Sequence, residues 1–479
     1  NLSNKAKINL SGNGSIGIYS VTDVEKNINN EGSIDIAGEN SLGIYLKGKQ
    51  TFTNSADINV AASKDISKPT IGVYAKEGSS KIVHNSGNIN VGEKSVGIYS
   101  TSDSDVEIND GKLHVKDQGV GIYKENGKVL FKGELEVANH TAKDDTKPVG
   151  VYAVNGTEIE DKVKSITIGE KSYGFVLDNK DSNKTNKYTN TNTGTVTMKS
   201  GSTFLYSNGK ADITNNRDIA SNGADHLTTF YIKNGGTFVN NAKLDFTSGK
   251  GNVGIYASGA GTTATNEVNG KIAVGETDFI DPNTGKPYED KNKITYGMGM
   301  VADKGAKIVN KGEITVKSNK SIGMYGDGKG TVVENHGNIF LSGRDATKAN
   351  PINNMTGVYV NNGATFRNYG NIRTIDSYAL KDGKIKDTVN GMVGVAALNG
   401  STFENHGNID IDTANSNGVT IRDSVIKNYG NFRIRVRGQG STAVTYRGIT
   451  YDSIKELEDA VKAGKITSDP KGNELRPVG

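Results

Sequence analysis

Few groupings of residues in this chain of 479 residues are candidates for catalysis or for metal or ligand binding. Close pairs of carboxylates occur at Asp103 with Asp105 and at Asp144 with Asp145. A polysaccharide hydrolase or lyase needs two acids spaced across a sugar ring, or clustered carboxylates that often hold Ca²⁺. Neither pair has a partner that recurs at an equivalent place, so we predict no catalytic residues and no enzymatic activity. A polysaccharide-degrading enzyme is the least favoured alternative.

Histidine and cysteine chemistry is also unsupported. The six histidines come with no cysteine, which excludes thiol nucleophiles, disulfides and cysteine-ligated zinc. Only His336 and His406 share a place in a repeated phrase, with Tyr369 between them. Two turns of a stacked structure would separate the histidines by about 9–10 Å, too far to share one metal ion. We therefore predict no metal site and no cofactor, and a column of stacked side chains from His336, Tyr369, His406 and Tyr429.

Arginine is distributed unevenly, since nine of the ten arginines follow position 340. Arg433, Arg435 and Arg437 alternate with apolar residues, so all three should face outward from one strand. Arg373 occupies the place of Arg433 in an earlier repeat, and Asp410 occupies it in the repeat between them. This predicts a charge ladder Arg373–Asp410–Arg433, worth about 0.2–1 kcal/mol per pair. We predict these four arginines as candidate ligand-binding residues for a carboxylate or an acidic glycan; a plain solvated face is the alternative.

The chain is built from internal repeats. A Gly-x-Tyr phrase and its degenerate versions occur sixteen times, mostly 24 to 29 residues apart. The full copies begin at Gly17, Gly43, Gly72, Gly97, Gly121, Gly150, Gly254, Gly323 and Gly357. Because apolar and polar residues alternate around each copy, we predict strands with one buried face. The glycine is expected to face outward and to leave room for the tyrosine ring. The tyrosines should form an outward column whose rings pack on one another, with sugar binding as the alternative.

A second phrase, Asn-x-Gly-x-Ile, follows each first phrase. Its leading asparagines are Asn4, Asn30, Asn54, Asn85, Asn109, Asn192, Asn215, Asn240, Asn310, Asn335, Asn368, Asn405 and Asn428. Asparagine suits a tight corner, and stacked asparagines can form amide ladders. Two strands in ~25 residues cannot bury their apolar face alone, so neighbouring units must stack. We therefore predict an all-β, right-handed parallel β-helix of about 16 turns over 1–447, forming one elongated domain about 75 Å long.

Other features of the chain set further expectations. Insertions fall at 61–69, 138–148, 275–295, 342–355 and 376–392, always between a second phrase and the next Gly-x-Tyr phrase. Loops at equivalent corners emerge on one side of a solenoid, which is often the binding side.

A capping box at Ser453 to Glu456 predicts a short helix over 453–464, within a C-terminal extension or cap at 448–479. The chain begins inside a repeat, which predicts a segment of a longer rod.

Composition excludes several classes of protein. With 61 Gly but only 7 Pro and no Gly-X-Y period, the chain is not collagen. Nowhere do about 18 apolar residues run together, so no membrane-spanning helix is predicted. The net charge of +4 over 479 residues gives no support for nucleic acid as a partner.

The repeats resemble the passenger regions of autotransporter (type V secretion) proteins. The match is to the very large outer-membrane adhesins of fusobacteria and their relatives, the group that includes the arginine-inhibitable adhesin. The resemblance covers about residues 1–447. It implies a β-helical rod at the bacterial cell surface, secreted through an N-terminal signal and anchored in the outer membrane by a C-terminal β-barrel of the same polypeptide, both outside this chain.

Together these observations predict a non-enzymatic adhesin segment. It would attach to host cells, through a surface glycan or protein receptor, or to partner bacteria, using loops on a rigid rod. The main alternative is a purely structural stalk that holds a distal binding tip away from the outer membrane.

Overall fold

Alternating apolar and polar residues form short strands with one buried face. In Ile89–Val91, both apolar side chains are 1% exposed, whereas Asn90 between them faces outward. Because neighbouring strands pair in parallel, each apolar side chain stacks on an apolar side chain of the next turn: Ile98 lies opposite Val73 on one side and Ile122 on the other. The resulting all-β parallel solenoid has about fifteen turns, which confirms the predicted fold class.

This computed structural model describes most of the chain. The described residues are 1–343, 354–375, 378–381, 384–387, 391–413, 415–429, 433–437, 442–446, 449–451 and a few positions between 456 and 478.

Each turn contains three strands, where the sequence predicted two. We call them the first strand, which carries the Gly-x-Tyr phrase, the second strand, which ends at the asparagine position, and the third strand, which carries the Ile-x-Val pattern. The prediction of two strands was wrong because the asparagine phrase spans a corner. At Asn240, for example, Nδ2 donates to the carbonyl of Ala242 at 2.9 Å and so helps to fix the bend between the second and third strands.

The chain divides into two compact units, Asn1–Arg217 with Thr229–Tyr231, and Asp218–Thr228 with Ile232–Gly479. In the first unit, Ile16–Asn30 and Leu42–Asn54 each supply both the first and the second strand of a turn. Its other first strands are Ile71–Lys76, Val96–Ser100, Val120–Glu125, Val149–Val154, Tyr173–Asp178 and Thr203–Asn208. Its other second strands are Leu2–Asn4, Lys81–His84, Val106–Ile108, Lys128–Phe131, Glu158–Asp161, Asn186–Asn190 and Ala211–Asn215. Its third strands are Ile8–Leu10, Ile34–Ile36, Ile58–Val60, Ile89–Val91, Lys112–Val115, Glu134–Val137, Ser165–Ile168 and Thr195–Met198.

The strand Thr228–Lys233 contributes residues to both units. The first strands of the second unit are Val253–Ser258, Met298–Asp303, Ile322–Asp327, Thr356–Asn361, Val393–Leu398, Asn417–Arg422 and Thr442–Tyr446. Its second strands are Gly236–Asn240, Thr263–Asn266, Lys307–Asn310, Val332–Asn335, Thr365–Asn368, Thr402–Asn405 and Val425–Tyr429. Its third strands are Ile219–Ala220, Lys243–Asp245, Lys271–Val274, Glu313–Val316, Asn338–Ser342, Asn371–Ile375, Asn408–Asp412 and Arg433–Arg437.

A few elements lie outside this three-strand pattern. Tyr378–Lys381 and Lys384–Asp387 form an antiparallel hairpin, Ile449–Tyr451 pairs antiparallel with Thr442–Tyr446, and Arg476–Val478 pairs parallel with Val425–Tyr429. A 3₁₀ turn covers Lys291–Lys293. Most of the range 453–464, where a helix was predicted, lies outside the described residues. Those of its residues that are described include four in helical conformation: Glu456, Asp459, Ala460 and Lys462. No helix in the described part of the chain is long and apolar enough to cross a membrane.

The glycine of the Gly-x-Tyr phrase faces the core, so the prediction that it faces outward beneath the tyrosine ring was wrong. A Cβ atom added to Gly97 would lie 2.6 Å from the carbonyl oxygen of Gly121 in the next turn and 2.9 Å from Cγ2 of Val91. The ladder between Val96–Ser100 and Val120–Glu125 also skips the two glycines. The first strand therefore needs glycine because the third strand that precedes it in the chain packs directly onto its backbone.

Candidate functional site

A buried column of asparagine side chains runs along the ends of the second strands. In the second unit, each Nδ2 donates to the Oδ1 of the next turn at 2.9 Å, from Asn240 through Asn266, Asn310, Asn335 and Asn368 to Asn405. In the first unit, Asn4 donates to Asn30 at 2.7 Å and Asn30 donates to Asn54 at 2.6 Å. The predicted amide ladder is thus present, and its buried position gives it a structural role.

The sequence placed some members of this ladder wrongly. Asn54 pairs with His84, and His84 pairs with Ile108, so Asn85 and Asn109 lie one residue beyond the column. Asn192 lies two residues beyond it, where Asn190 donates to Asn215 at 2.7 Å. The prediction aligned the asparagines by their position in the repeated Asn-x-Gly phrase. The members of the column are instead fixed by the register in which neighbouring second strands pair.

Between Asn54 and Asn190, residues other than asparagine occupy the column. His84 continues it, because its Nδ1 accepts from Asn54 Nδ2 at 2.9 Å while its Nε2 bonds the carbonyl of Gly87 at 3.0 Å. Ile108 and Phe131 then replace amides by apolar side chains, and Asp161 follows. Burial lowers the pKa of His84, against the opposing effects of the Gly87 hydrogen bond and the charge of Asp57. This histidine is therefore a neutral member of the structural column.

The predicted column of histidines and tyrosines is confirmed. The ring centroids of His336 and Tyr369 are 4.6 Å apart, those of Tyr369 and His406 are 4.8 Å apart, and those of His406 and Tyr429 are 4.6 Å apart. The interplanar angles are 16°, 11° and 3°, so the rings lie nearly parallel. Stacked in this way, the rings cover one another and leave mainly their edges to solvent.

A charge ladder lies on the second strands of the second unit, at a place where the sequence did not predict one. Arg367 Nε donates to Glu404 at 2.8 Å and its Nη1 donates to Glu334 at 3.3 Å. Lys307 pairs with Glu334 at 2.9 Å, and Lys427 pairs with Glu404 at 3.3 Å. Although burial acts in the opposite direction, hydrogen bonds from these cations hold the pKa of both glutamates below the usual value. Comparing outward residues between successive second strands would have revealed this alternation of charge.

The predicted column Arg373–Asp410–Arg433 was wrong in its last member. Arg373 lies opposite Asp410, but Asp410 lies opposite Arg435, whereas Arg433 lies opposite Asn408. A shift of two residues keeps every side chain on the same face, so alternation alone could not distinguish the two registers. Arg373 is exposed, with its guanidinium 4.9 Å from the centre of the Phe340 ring. The side chains of Arg433, Arg435 and Arg437 lie outside the described residues.

The five insertions all lie at one corner of the turn, between a third strand and the next first strand. The insertion at 138–148 is held by Asp117, whose carboxylate accepts from His140 Nδ1 at 2.9 Å and from the backbone of Thr141 and Ala142 at 2.7 and 2.9 Å. Although burial acts to raise the pKa of Asp117, the hydrogen bonds from these groups together hold that pKa below its usual value. Asp144, one member of the carboxylate pair in which the sequence analysis predicted no catalytic role, has a structural contact here, since it accepts from Gln118 Nε2 at 2.7 Å.

The insertion at 275–295 is anchored by side chains of the second unit. It is closed by antiparallel bridges between Asp278 and Thr295 and between Ile280 and Pro287. Asp278 lies 2.8 Å from Nε2 of His226, and the ammonium of Lys320 lies 4.1 Å from the centre of the Phe279 ring. Residues 344–353 of the fourth insertion lie outside the described residues, and the fifth contains the hairpin of Tyr378–Lys381 and Lys384–Asp387.

The outward tyrosines of the first unit also pack on one another, as predicted. Ring centroids from Tyr19 through Tyr45, Tyr74, Tyr99 and Tyr123 to Tyr152 are separated by 4.4 to 5.7 Å. Tyr152 donates to Asp178 at 2.9 Å, and burial together with that carboxylate raises the pKa of Tyr152 far above its usual value. The column is therefore part of the packing of the sheet.

In the part of the chain that the structure describes, no group of three or more histidine, aspartate or glutamate side chains is placed to hold a metal ion. Asp105 accepts from the backbone nitrogen of Lys128 at 3.1 Å, which is a contact between neighbouring turns. The arrangement offers a fixed scaffold, on which the loops at 138–148 and 275–295 are held by side-chain contacts.

Comparison with known protein families gave a match. The family described as the BigA third pectate lyase-like domain matches residues 1–162 and 246–371, more than half of the chain. No curated protein and no solved structure matches significantly.

Proposed function

Since the chain belongs to the family of the BigA third pectate lyase-like domain, we propose that it is a passenger segment of a bacterial surface adhesin. The segment would attach to host cells or to other bacteria through side loops on its β-helix, without enzymatic activity. The resemblance of the repeats to fusobacterial adhesins supports a finer proposal: type V secretion, with anchoring in the outer membrane.

The observation that carries this proposal is the placement of the five insertions at one corner of the turn. Solenoids that bind partners do so through extended surfaces or through loops that leave one face. Two of these loops have a defined geometry, set by Asp117 in the first unit and by the pair His226–Asp278 in the second. A preorganised loop loses less conformational entropy on binding than a flexible one.

The test is attachment of the purified chain to epithelial cells and to partner bacteria in a binding assay. A folded chain that binds neither would overturn the adhesive proposal and favour a structural stalk. The role of the loops is tested with a variant in which residues 281–286 are replaced by Gly-Gly. This replacement retains the bridge between Asp278 and Thr295. Residues 142–146, shortened in the same way, give a matched variant in the first unit. If neither variant binds less than the parent, the loops are not the binding elements.

The absence of enzymatic activity is part of the same proposal. It is tested by incubating the chain with pectin-type and host acidic polysaccharides and measuring new reducing ends and unsaturated sugars. Sustained turnover of any of these polymers would contradict the proposal.

A further inference from the structure

Two lysines stack in successive turns of the first unit, immediately after the second strand. Phe131 pairs with Asp161, and the backbone nitrogen of Lys162 donates to the carbonyl of Phe131 at 2.8 Å. Lys132 and Lys162 therefore occupy the same position in adjacent turns. In the following turn that position is taken by Thr191, whose nitrogen donates to the carbonyl of Asp161 at 3.2 Å.

These residues line a surface cleft of about 440 Å³, which we call the lysine cleft. Its lining consists of Lys132, Lys162, Lys164, Thr191, Thr193 and Gly194. The volume lies within the range of small-ligand sites, roughly 300–1,000 Å³. The hydroxyls of Thr191 and Thr193 are hydrogen-bonded to each other at 2.8 Å, which leaves one of them free to donate. Three ammonium groups and that hydroxyl can donate hydrogen bonds into the cleft, so its chemistry suits an anion.

The positive charge of the cleft is only partly neutralised. Lys162 pairs with Glu160 at 2.5 Å, and Lys164 pairs with Asp110 at 2.9 Å. Lys132 lies 3.4 Å from the amide oxygen of Asn109. Within the described residues, no carboxylate is within ion-pairing distance of Lys132. Because like charges on directly opposite residues repel, an anion between Lys132 and Lys162 would relieve that repulsion.

The backbone beneath the lysine cleft is held in place by a buried arginine. Arg217 Nη1 donates to the carbonyls of Val163 and Thr193, and its Nη2 donates to Asp161 at 2.8 Å. Val163 lies between the two lysines Lys162 and Lys164, and Thr193 is itself part of the lining. The guanidinium thus fixes the relative positions of the turns that carry the cleft, and such preorganisation favours binding.

We propose that the lysine cleft binds an oxyanion and that its ligand is the sulfate group of a sulfated glycan. Lysine binds such groups as a compact point charge, and one threonine hydroxyl can donate to a further oxygen. The binding of an oxyanion is inferred from the cleft alone. The assignment of that oxyanion to a glycan rests on the proposed adhesive function.

The experiment measures binding of a sulfated oligosaccharide, its desulfated counterpart and inorganic sulfate to the whole chain by calorimetry. The variant is Lys132→Gln with Lys162→Gln. The control is Lys47→Gln with Lys76→Gln, because these lysines are also directly opposite in adjacent turns and do not line the cleft. Losing a charged hydrogen bond should weaken binding about tenfold or more. We expect that loss for the cleft variant and less than about a twofold change for the control.

Equal binding by parent and cleft variant, or equal loss in the control, would overturn the lysine cleft as the site. Binding of inorganic sulfate without binding of the sulfated oligosaccharide would overturn the glycan assignment. The failure of the inference is distinguishable from that of the proposed function. A cleft variant that still attaches to cells, while the parent binds no sulfated glycan, contradicts only the inference. Glycan binding without any attachment contradicts only the proposed function.

Discussion

Arg217 donates from Nη2 to the carboxylate of Asp161 at 2.8 Å, and both side chains are fully buried. Tyr188, also fully buried, donates to the other carboxylate oxygen at 2.7 Å. Burial raises the pKa of Asp161, and the Arg217 guanidinium opposes that effect. Asp161 occupies the column position that asparagine fills in other turns, so a buried ion pair here replaces the amide ladder.

Arg217→Met should destabilise the first unit strongly. The substitution leaves Asp161 buried without its cation, and removing one partner of a buried pair costs about 3–5 kcal/mol. Urea unfolding followed by circular dichroism measures the change. Asp161→Asn combined with Arg217→Met should recover much of the loss, because an amide can still accept from Tyr188. If the free energy of unfolding of the Arg217→Met variant were within about 1 kcal/mol of the parent value, the buried ion pair would contribute little to stability.

Asn335→Ala should destabilise the second unit through the amide ladder. Asn335 accepts from Asn310 and donates to Asn368, both at 2.9 Å. Its loss removes the donor to the buried Oδ1 of Asn368 and leaves Asn310 Nδ2 with only its longer bonds to the carbonyls of Gly312 and Asn338, at 3.4 and 3.3 Å. Leaving one buried acceptor without its donor costs about 1–3 kcal/mol. The matched control is Asn371→Ala, in an exposed amide pair with Asn338 at 3.1 Å, which should change stability by about 0.5 kcal/mol or less. Equal unfolding midpoints for the two variants would contradict a stabilising role for burial of the ladder.

Gly97→Ala should also be destabilising, by about 1–3 kcal/mol, because the new methyl group enters a filled space. Its Cβ would meet the carbonyl oxygen of Gly121 at 2.6 Å. Gly12→Ala is the control, since there the nearest atom is the Oγ of Ser15 at 3.2 Å, on a side chain that can rotate. Thermal unfolding of both variants measures the difference. A neutral Gly97 variant would mean that the third strand can move away from the first.

His84→Asn should flatten the dependence of stability on pH. Burial lowers the pKa of His84 from 6.5, so the unfolded chain binds the proton more readily than the folded chain. Stability contributed by neutral His84 is therefore complete above pH 6.5 and is lost as the pH falls from 6.5 toward the folded-state value. Asparagine fills this position in the neighbouring turn and does not titrate. The free energy of unfolding, measured from pH 7.5 to pH 5, should decline less for the variant than for the parent. Parallel curves of unfolding free energy against pH would exclude His84 as the titrating group.

Much of the architecture could be predicted from short repeated phrases. The alternation of residues gives strands, and the stacking of identical phrases gives a parallel solenoid. The column of His336, Tyr369, His406 and Tyr429 was predicted from phrase position alone, because those residues follow the asparagine directly in each turn.

Predictions that depended on register were less successful. Arg433 was assigned opposite Asp410, a place that Arg435 occupies, because a shift of two residues preserves the facing of every side chain. The buried role of Arg217 could not be predicted either, since its partner Asp161 is 56 residues away in the chain. Nothing in the spacing of those two residues marks them as a pair.

The sequence by itself determined the fold class, the stacking of turns and the corner where the loops emerge, because each depends on a pattern repeated within about 25 residues. Only the tertiary structure decided which residues of different turns meet. That information comes from register and from side chains that reach across turns, as Arg217 does to Asp161 and as Lys132 and Lys162 do around one cleft. Local alternation fixes the face of the sheet on which a side chain lies, whereas its neighbours on that face depend on how the whole stack is assembled.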